Sequence, residues 1–318
     1  MAPAEDDISI EEKRVYAGSA GRTDAYVATE TGVVRAAISG DKIGEFELAV
    51  RAPARDVAVL GRPGTADLLA VATAEALSVA PVGDDPAFVP AGIGPAVAVG
   101  VHGGAFLVAD AGGAIHRVDV DAEPGADEIS GIDASRIGSV DDPRAIDGPL
   151  VAAADGVHRV VGAVGPSAVG GSPTVEAAGL EDARDVAGTG VPLAATSTGL
   201  HWLGNGWMTA NEGDAIAVAA DGDGHAMAVV DGDLRVHPGA DGVPAAPTGG
   251  VVDDGWDADA WTDASLPVEE RPAALGYGPG VSVAVTDAGT LCVDAGDGWR
   301  HQALGVPGVA GVALAAVE

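Results

Sequence analysis

Lysine is almost missing from this chain: Lys13 and Lys42 are the only two, and arginine supplies the rest of the 16 basic residues. Against 48 acidic residues they leave a formal charge of −32. A chain so charged has no basic stripe with which to release counterions from a phosphate backbone, which excludes nucleic acid, and an anionic membrane surface with it. Cysteine occurs once, as Cys292, so no intrachain disulfide can form and no zinc-type spacing exists. No run of 18 apolar residues is free of charge and histidine, which argues against a membrane-spanning helix. The opening MAPAEDDISIEEKR carries acids where a signal peptide needs a basic head and an apolar middle, and it has no twin-arginine signal. These absences set the expectation of a cytoplasmic protein.

Apolar residues nevertheless make up 47% of the chain and the acids are scattered rather than blocked, so disorder is a poor reading. The 318 residues are ample for a substantial core. Self-repulsion at this charge is tolerable where salt keeps the Debye length short. Few lysines, many Asp and Ala, and only 3% aromatics are what salt adaptation of the kind found in extreme halophiles would produce.

The informative presence is repetition. The segments AYVATETGVVRA, LAVATAEALSVAP, FLVADAGGAIHRVD, LVAAADGVHRVV, LAATSTGLHWLG, AMAVVDGDLRVH and VAVTDAGTLCVD each read as strand, tight turn, strand. Their mean interval is roughly 43 residues, the period of a four-stranded propeller blade. Six of them follow a short leader of the type ARDVAVL, GPAVAVG, PRAIDG, ARDVAGTG, DAIAVAAD or PAALGYG, as an innermost strand should. The first hairpin has no leader, but an orphan copy, GVAGVALAAV, closes the chain at residues 308–317. A C-terminal strand that completes the first blade leaves no open edge between the chain ends. The expectation is an all-β, single-domain, seven-bladed β-propeller over residues 1–318, with residues 1–14 as an acidic tail or outer strand.

With turns such as TSTGL and TDAGTL followed by GNGW or GDGW, the chain resembles the YVTN and Asp-box group of propellers. Its EEKRVYAG, AYVATETGVVR and GDKIGEFELAVRAPARDVA are similar to a haloarchaeal β-propeller family of unassigned activity. The resemblance spans essentially the whole chain and implies fold and lineage only.

Candidate sites divide by their phase in the repeat. CVDAGDGW supplies Asp294, Gly296 and Trp299 at Asp-box spacing, with Cys292 at the serine place, and such a hairpin organises a turn. His116, His158 and His201 share one phase; because equivalent positions spread around a ring, packing between blades fits them better than a metal site. Arg55, Arg144 and Arg184 begin three inner strands, with Asp56, Asp147, Asp185 and Asp214 at or near the same phase, so all should surround one mouth of the central channel. Two readings compete there: an Arg and Asp girdle joining neighbouring blades, and a bidentate clamp for a carboxylate or phosphate ligand at the channel mouth.

Residues 251–272 form the longest interval between hairpins and carry Trp256 and Trp261 among five aspartates. They read either as aromatic anchors for a basic partner or as indoles packed on their own blade. Neither this loop nor the DGDG at residues 221–224 has the ligand spacing of a calcium loop. No phosphate loop, dinucleotide fingerprint, HExxH motif or nucleophile elbow occurs, so no metal or cofactor is expected. The function these features point to is a non-enzymatic binding or assembly propeller with a protein partner. The alternative is a sialidase-like hydrolase or lyase acting on an acidic sugar, with the three arginines as the clamp and Tyr277 assisting.

Overall fold

In a computed structural model of the chain, the residues described are 21–122, 129–162, 172–239 and 255–317. The expected acidic tail at residues 1–14 lies outside them, as do Asp253 and Asp254. The described residues form seven four-stranded antiparallel sheets arranged in a ring. The inner strands of blades 2 to 7 are Ala54–Leu60, Ala96–His102, Pro143–Asp147, Ala183–Ala187, Ala215–Ala220 and Pro272–Gly278. Each is followed outward by its own hairpin, so the order in space is the order in sequence.

Blade 1 is the exception. Its inner strand is Gly311–Val317, which runs antiparallel to Arg22–Thr29 with Arg22 opposite Val317 and Ala28 opposite Gly311. The last strand of the chain therefore closes the ring, as the orphan repeat predicts. The seam is apolar, with Val27 and Ile38 of blade 1 in one cluster with Val283 and Leu291 of blade 7. Arg300 of blade 7 also reaches Asp41 of blade 1 at 3.1 Å.

Strands form because Val, Ile, Leu and Ala fill both faces of the inner hairpins; Ala25 to Ala28, Leu68 to Ala72 and Ala105 to Ala109 are all buried. A strand sandwiched between two neighbouring blades has no solvent face, so it loses the alternation of a half-exposed strand. Alanine is frequent where strands crowd the hub, and larger side chains fill the wider gaps between blades, as Leu68 and Phe106 do between blades 2 and 3. Turn glycines are held by sterics: Gly32 sits at φ 141°, and a side chain there would run into the carbonyl of Val50. One short 3-10 turn, Ala258–Ala260, is the only helical element among the described residues, and no helix is long and apolar enough to cross a membrane.

Candidate functional site

The answer to why arginine and aspartate recur together lies in a bulge. In each inner strand of blades 2 to 7 the pairing with the next strand skips one residue near its start. The skipped residues are Arg55, Val97, Arg144, Arg184, Ile216 and Ala273. A bulged residue is left out of the ladder and its side chain is re-aimed. Five of the six, all but Val97, line one cavity of about 370 Å³ at the centre of the ring.

The arginines at this phase reach forward to the next blade. Arg144 Nη1 donates to Asp182 at 2.6 Å and to the Ala183 carbonyl at 3.2 Å, and its Nε lies 3.7 Å from Asp142. The Arg144 guanidinium holds the Asp182 carboxyl below its usual range. Arg184 Nη1 pairs with Asp214 at 2.6 Å. Arg55 donates to the Ala96 carbonyl at 3.4 Å, and no carboxylate lies within 4 Å of it among the described residues. The girdle reading thus describes two of the three arginines: Arg184 takes Asp214, one of the acids expected there, and the correction is that Arg144 takes Asp182.

Asp56, Asp147 and Asp185 do something else. They turn into the channel and tie one inner strand to the next through backbone N–H groups. Asp56 accepts from Val57 at 2.9 Å and from Val99 of blade 3 at 2.8 Å. Asp185 repeats this with Val186 at 2.9 Å and Val218 of blade 6 at 2.8 Å. Asp147, two positions further along its strand, accepts from Gly188 of blade 5 at 2.7 Å. Burial pushes Asp56 and Asp185 up to about 7, the hydrogen bonds opposing it and the other channel carboxylates adding to it. Asp147 is shifted in the same direction, again chiefly by burial.

Tyr277 lines the same cavity but not the same mouth. It stands four residues beyond Ala273, the residue of its own strand that shares the arginine phase, or roughly 13 Å along the strand. Burial first, and then negative Asp221, push its phenol up. The clamp and the tyrosine that the hydrolase reading requires at one place are therefore separated along the channel.

Trp256 and Trp261 are 1% and 6% exposed, inside the core between blades 5 and 6 with Trp202. Trp256 stacks on His237 with ring centroids 4.0 Å apart, Trp261 donates to the Trp256 carbonyl at 3.2 Å, and Trp202 donates to Asp257 at 3.3 Å. The reading of these indoles as surface anchors is corrected on that ground: they hold a loop onto its own blade. The phase-matched histidines also act locally, binding their own hairpin turns. His116 meets Asp110 at 2.9 Å, His158 meets Asp155 at 2.9 Å, and His201 meets Thr196 at 3.2 Å. In the Asp-box-like turn, Asp294 accepts from Gly296 at 2.7 Å and Gly298 at 3.1 Å, with Trp299 half-buried beside them. Asp110 and Asp221 organise their turns in the same way. No group of three His, Cys, Asp or Glu is placed to hold a metal ion among the described residues.

The residues that sequence reasoning missed are Ile216, 40% exposed at the bulge of blade 6, and Asp182, the carboxylate standing just before an inner strand. The signal was present in the aligned leaders EDARDVA, EGDAIAVA and DDPRAID, each with an acid one residue ahead of the strand.

Ring, closure and channel together define a seven-bladed β-propeller whose central opening has an arginine-bearing rim and a carboxylate-lined throat. The chain belongs to the HVO_0234-like beta propeller family, whose model matches residues 9–315. No curated protein matches it. Among solved structures it is similar to a functionally unknown protein from Desulfotomaculum acetoxidans DSM 771, with TM-score 0.56, 11% identity, and coverage of 93% of this chain and 99% of that one. A putative 6-phosphogluconolactonase from Bacteroides fragilis NCTC 9343 gives TM-score 0.56, 9% identity and coverage of 94% and 99%. YCF48 bound to D1 peptide gives TM-score 0.52, 14% identity and coverage of 93% and 97%. At these identities the likeness is one of fold.

Proposed function

We propose that this propeller is a binding or assembly module that engages a protein partner at its arginine-bearing mouth, and that it performs no chemistry there. The observation that carries the reading is the shared bulge, which turns five side chains of different character onto one opening while the channel carboxylates stay engaged with backbone N–H groups. Asp56, Asp185 and Asp147 are each taken up by backbone N–H groups across the hub, and the tyrosine of the hydrolase reading sits far along the channel from the arginines. A propeller supports binding and catalysis alike, so the site decides. The YCF48 structure, with its D1 peptide, is an example of a peptide held by this fold. A charge of −32 fits a salt-rich cytoplasm in which the rim is a local exception to an acidic surface.

The test is affinity capture of the tagged chain from its own high-salt extract, beside a variant with Arg55, Arg144 and Arg184 all replaced by glutamate. A partner held by the native chain and lost by the variant supports the reading. A partner retained undiminished by a folded variant places binding elsewhere on the disc, and an absence of any partner for the native chain removes the proposal.

A further inference from the structure

The rim repeats one pairing rule and breaks it once. A bulge arginine in one blade reaches the residue just ahead of the next blade's inner strand: Arg144 reaches Asp182, and Arg184 reaches Asp214. For Arg55 the residue at that place is Pro95. The rest of the arrangement is conserved between blades, since Arg55 approaches the carbonyl of Ala96 as Arg144 approaches that of Ala183. What is missing is the carboxylate. Arg55 is exposed at the rim, with no acid within 4 Å among the described residues, in a chain where acids outnumber bases 48 to 16. On the far side of the same opening, Ile216 at the equivalent bulge is 40% exposed beside Ala273.

We infer that the slot opposite Arg55 is filled in trans by a carboxylate from an acidic polypeptide segment, which crosses the opening and lays an aliphatic side chain on Ile216. This rests on the reading of the mouth as a protein-binding site and names the chemistry of its partner. Charge complementarity selects the occupant: a guanidinium presents a fork that matches a carboxylate with two parallel hydrogen bonds, and Arg144 and Arg184 already have acids at this place. The throat below is lined by Asp56, Asp147 and Asp185, so the bound acid stays at the rim. The apolar contact keeps part of the binding at salt concentrations that weaken the ion pair.

The deciding variant is Pro95→Asp, which supplies the missing partner from within the chain. Pro95 contributes only its carbonyl, accepting from Ala111 at 2.8 Å, and an aspartate keeps that bond. The probe is a fluorescent peptide alternating glutamate and leucine, titrated by anisotropy in molar potassium chloride. Native protein binds it, Arg55→Gln and Pro95→Asp each weaken binding on the order of tenfold or more, and Ile216→Ser weakens it by a smaller factor. A Pro95→Asp protein that melts no lower than native yet binds equally well overturns the inference, as does failure of the native chain to bind the probe. Free succinate that protects the native chain but not Pro95→Asp against heating, without peptide binding, also overturns it in favour of a small dicarboxylate. A natural partner captured equally by native chain and Pro95→Asp removes the Arg55 slot while leaving the binding reading intact.

Discussion

Arg184 and Asp185 are neighbours in sequence and occupy opposite electrostatic settings. Arg184 is bulged out to the rim, where it pairs with an aspartate that is 56% exposed. Asp185 points into the throat, where it accepts from two backbone N–H groups and burial pushes the carboxyl up to about 7. Arg55 and Asp56 repeat the division. The contrast teaches that the recurring ARDVA is two devices in one strand: the aspartate locks neighbouring blades at the hub and the arginine dresses the surface. A stability effect belongs to the first and a recognition effect to the second.

The sharpest way to break the comparison is to remove the lock. Asp185→Ala leaves the N–H groups of Val186 and Val218 without their acceptor, and the cost of such a loss is about 1–3 kcal/mol. For a chain of this size that is a fall of several degrees in melting temperature. Asp56→Ala should act alike between blades 2 and 3. Thermal melts at fixed high salt check both, and melting temperatures unchanged within a degree would mean that the hydrogen bonds across the hub contribute nothing net.

The same lock has a pH signature of unusual sign. Asp56 and Asp185 rise from an ordinary 3.8 to about 7 on folding, so between those values the folded chain holds more protons than the unfolded one. Stability contributed by these groups is therefore full below the unfolded value and is lost as pH rises toward 7, the reverse of a salt-bridged carboxylate. The expected result is a melting temperature that falls from pH 5 to pH 7.5 in molar salt, with a flatter slope in the Asp56→Asn, Asp185→Asn double variant. The slope is the readout, because asparagine turns an amide against one of the N–H groups and lowers the whole curve. An identical slope in both proteins would assign the titration to other groups.

The ring was legible in the sequence because hairpin, leader and orphan copy recur at a fixed interval, and a period is a global constraint that local ambiguity cannot hide. The arginine phase was legible for the same reason. Two things were not. Period alone cannot tell which of two adjacent polar residues faces the channel, since one bulge reverses the alternation, so the sequence pattern puts Asp56 and Asp185 at the rim with the arginines. Nor does composition tell whether Trp256 and Trp261 lie on or beneath a surface: an acidic loop looks solvated, yet His237 and Trp202 draw its indoles into the core.

The smallest expected effect sharpens the comparison from the other side. Exposed ion pairs contribute about 0.2–1 kcal/mol, and raising salt screens them. Arg184→Ala should therefore cost at most a few degrees in dilute salt and close to nothing in molar salt, whereas the cost of Asp185→Ala should persist, because the half-buried carboxyl holds two backbone N–H groups by short hydrogen bonds that salt screens less than an exposed ion pair. A superimposed loss arises from the net charge: both variants and the native chain should melt lower in dilute salt, as unscreened repulsion among the acids rises. What separates rim from throat is the difference from native at each salt concentration. If Arg184→Ala and Asp185→Ala keep the same gap from native across that range, the two residues share one environment and the division of labour within ARDVA is wrong.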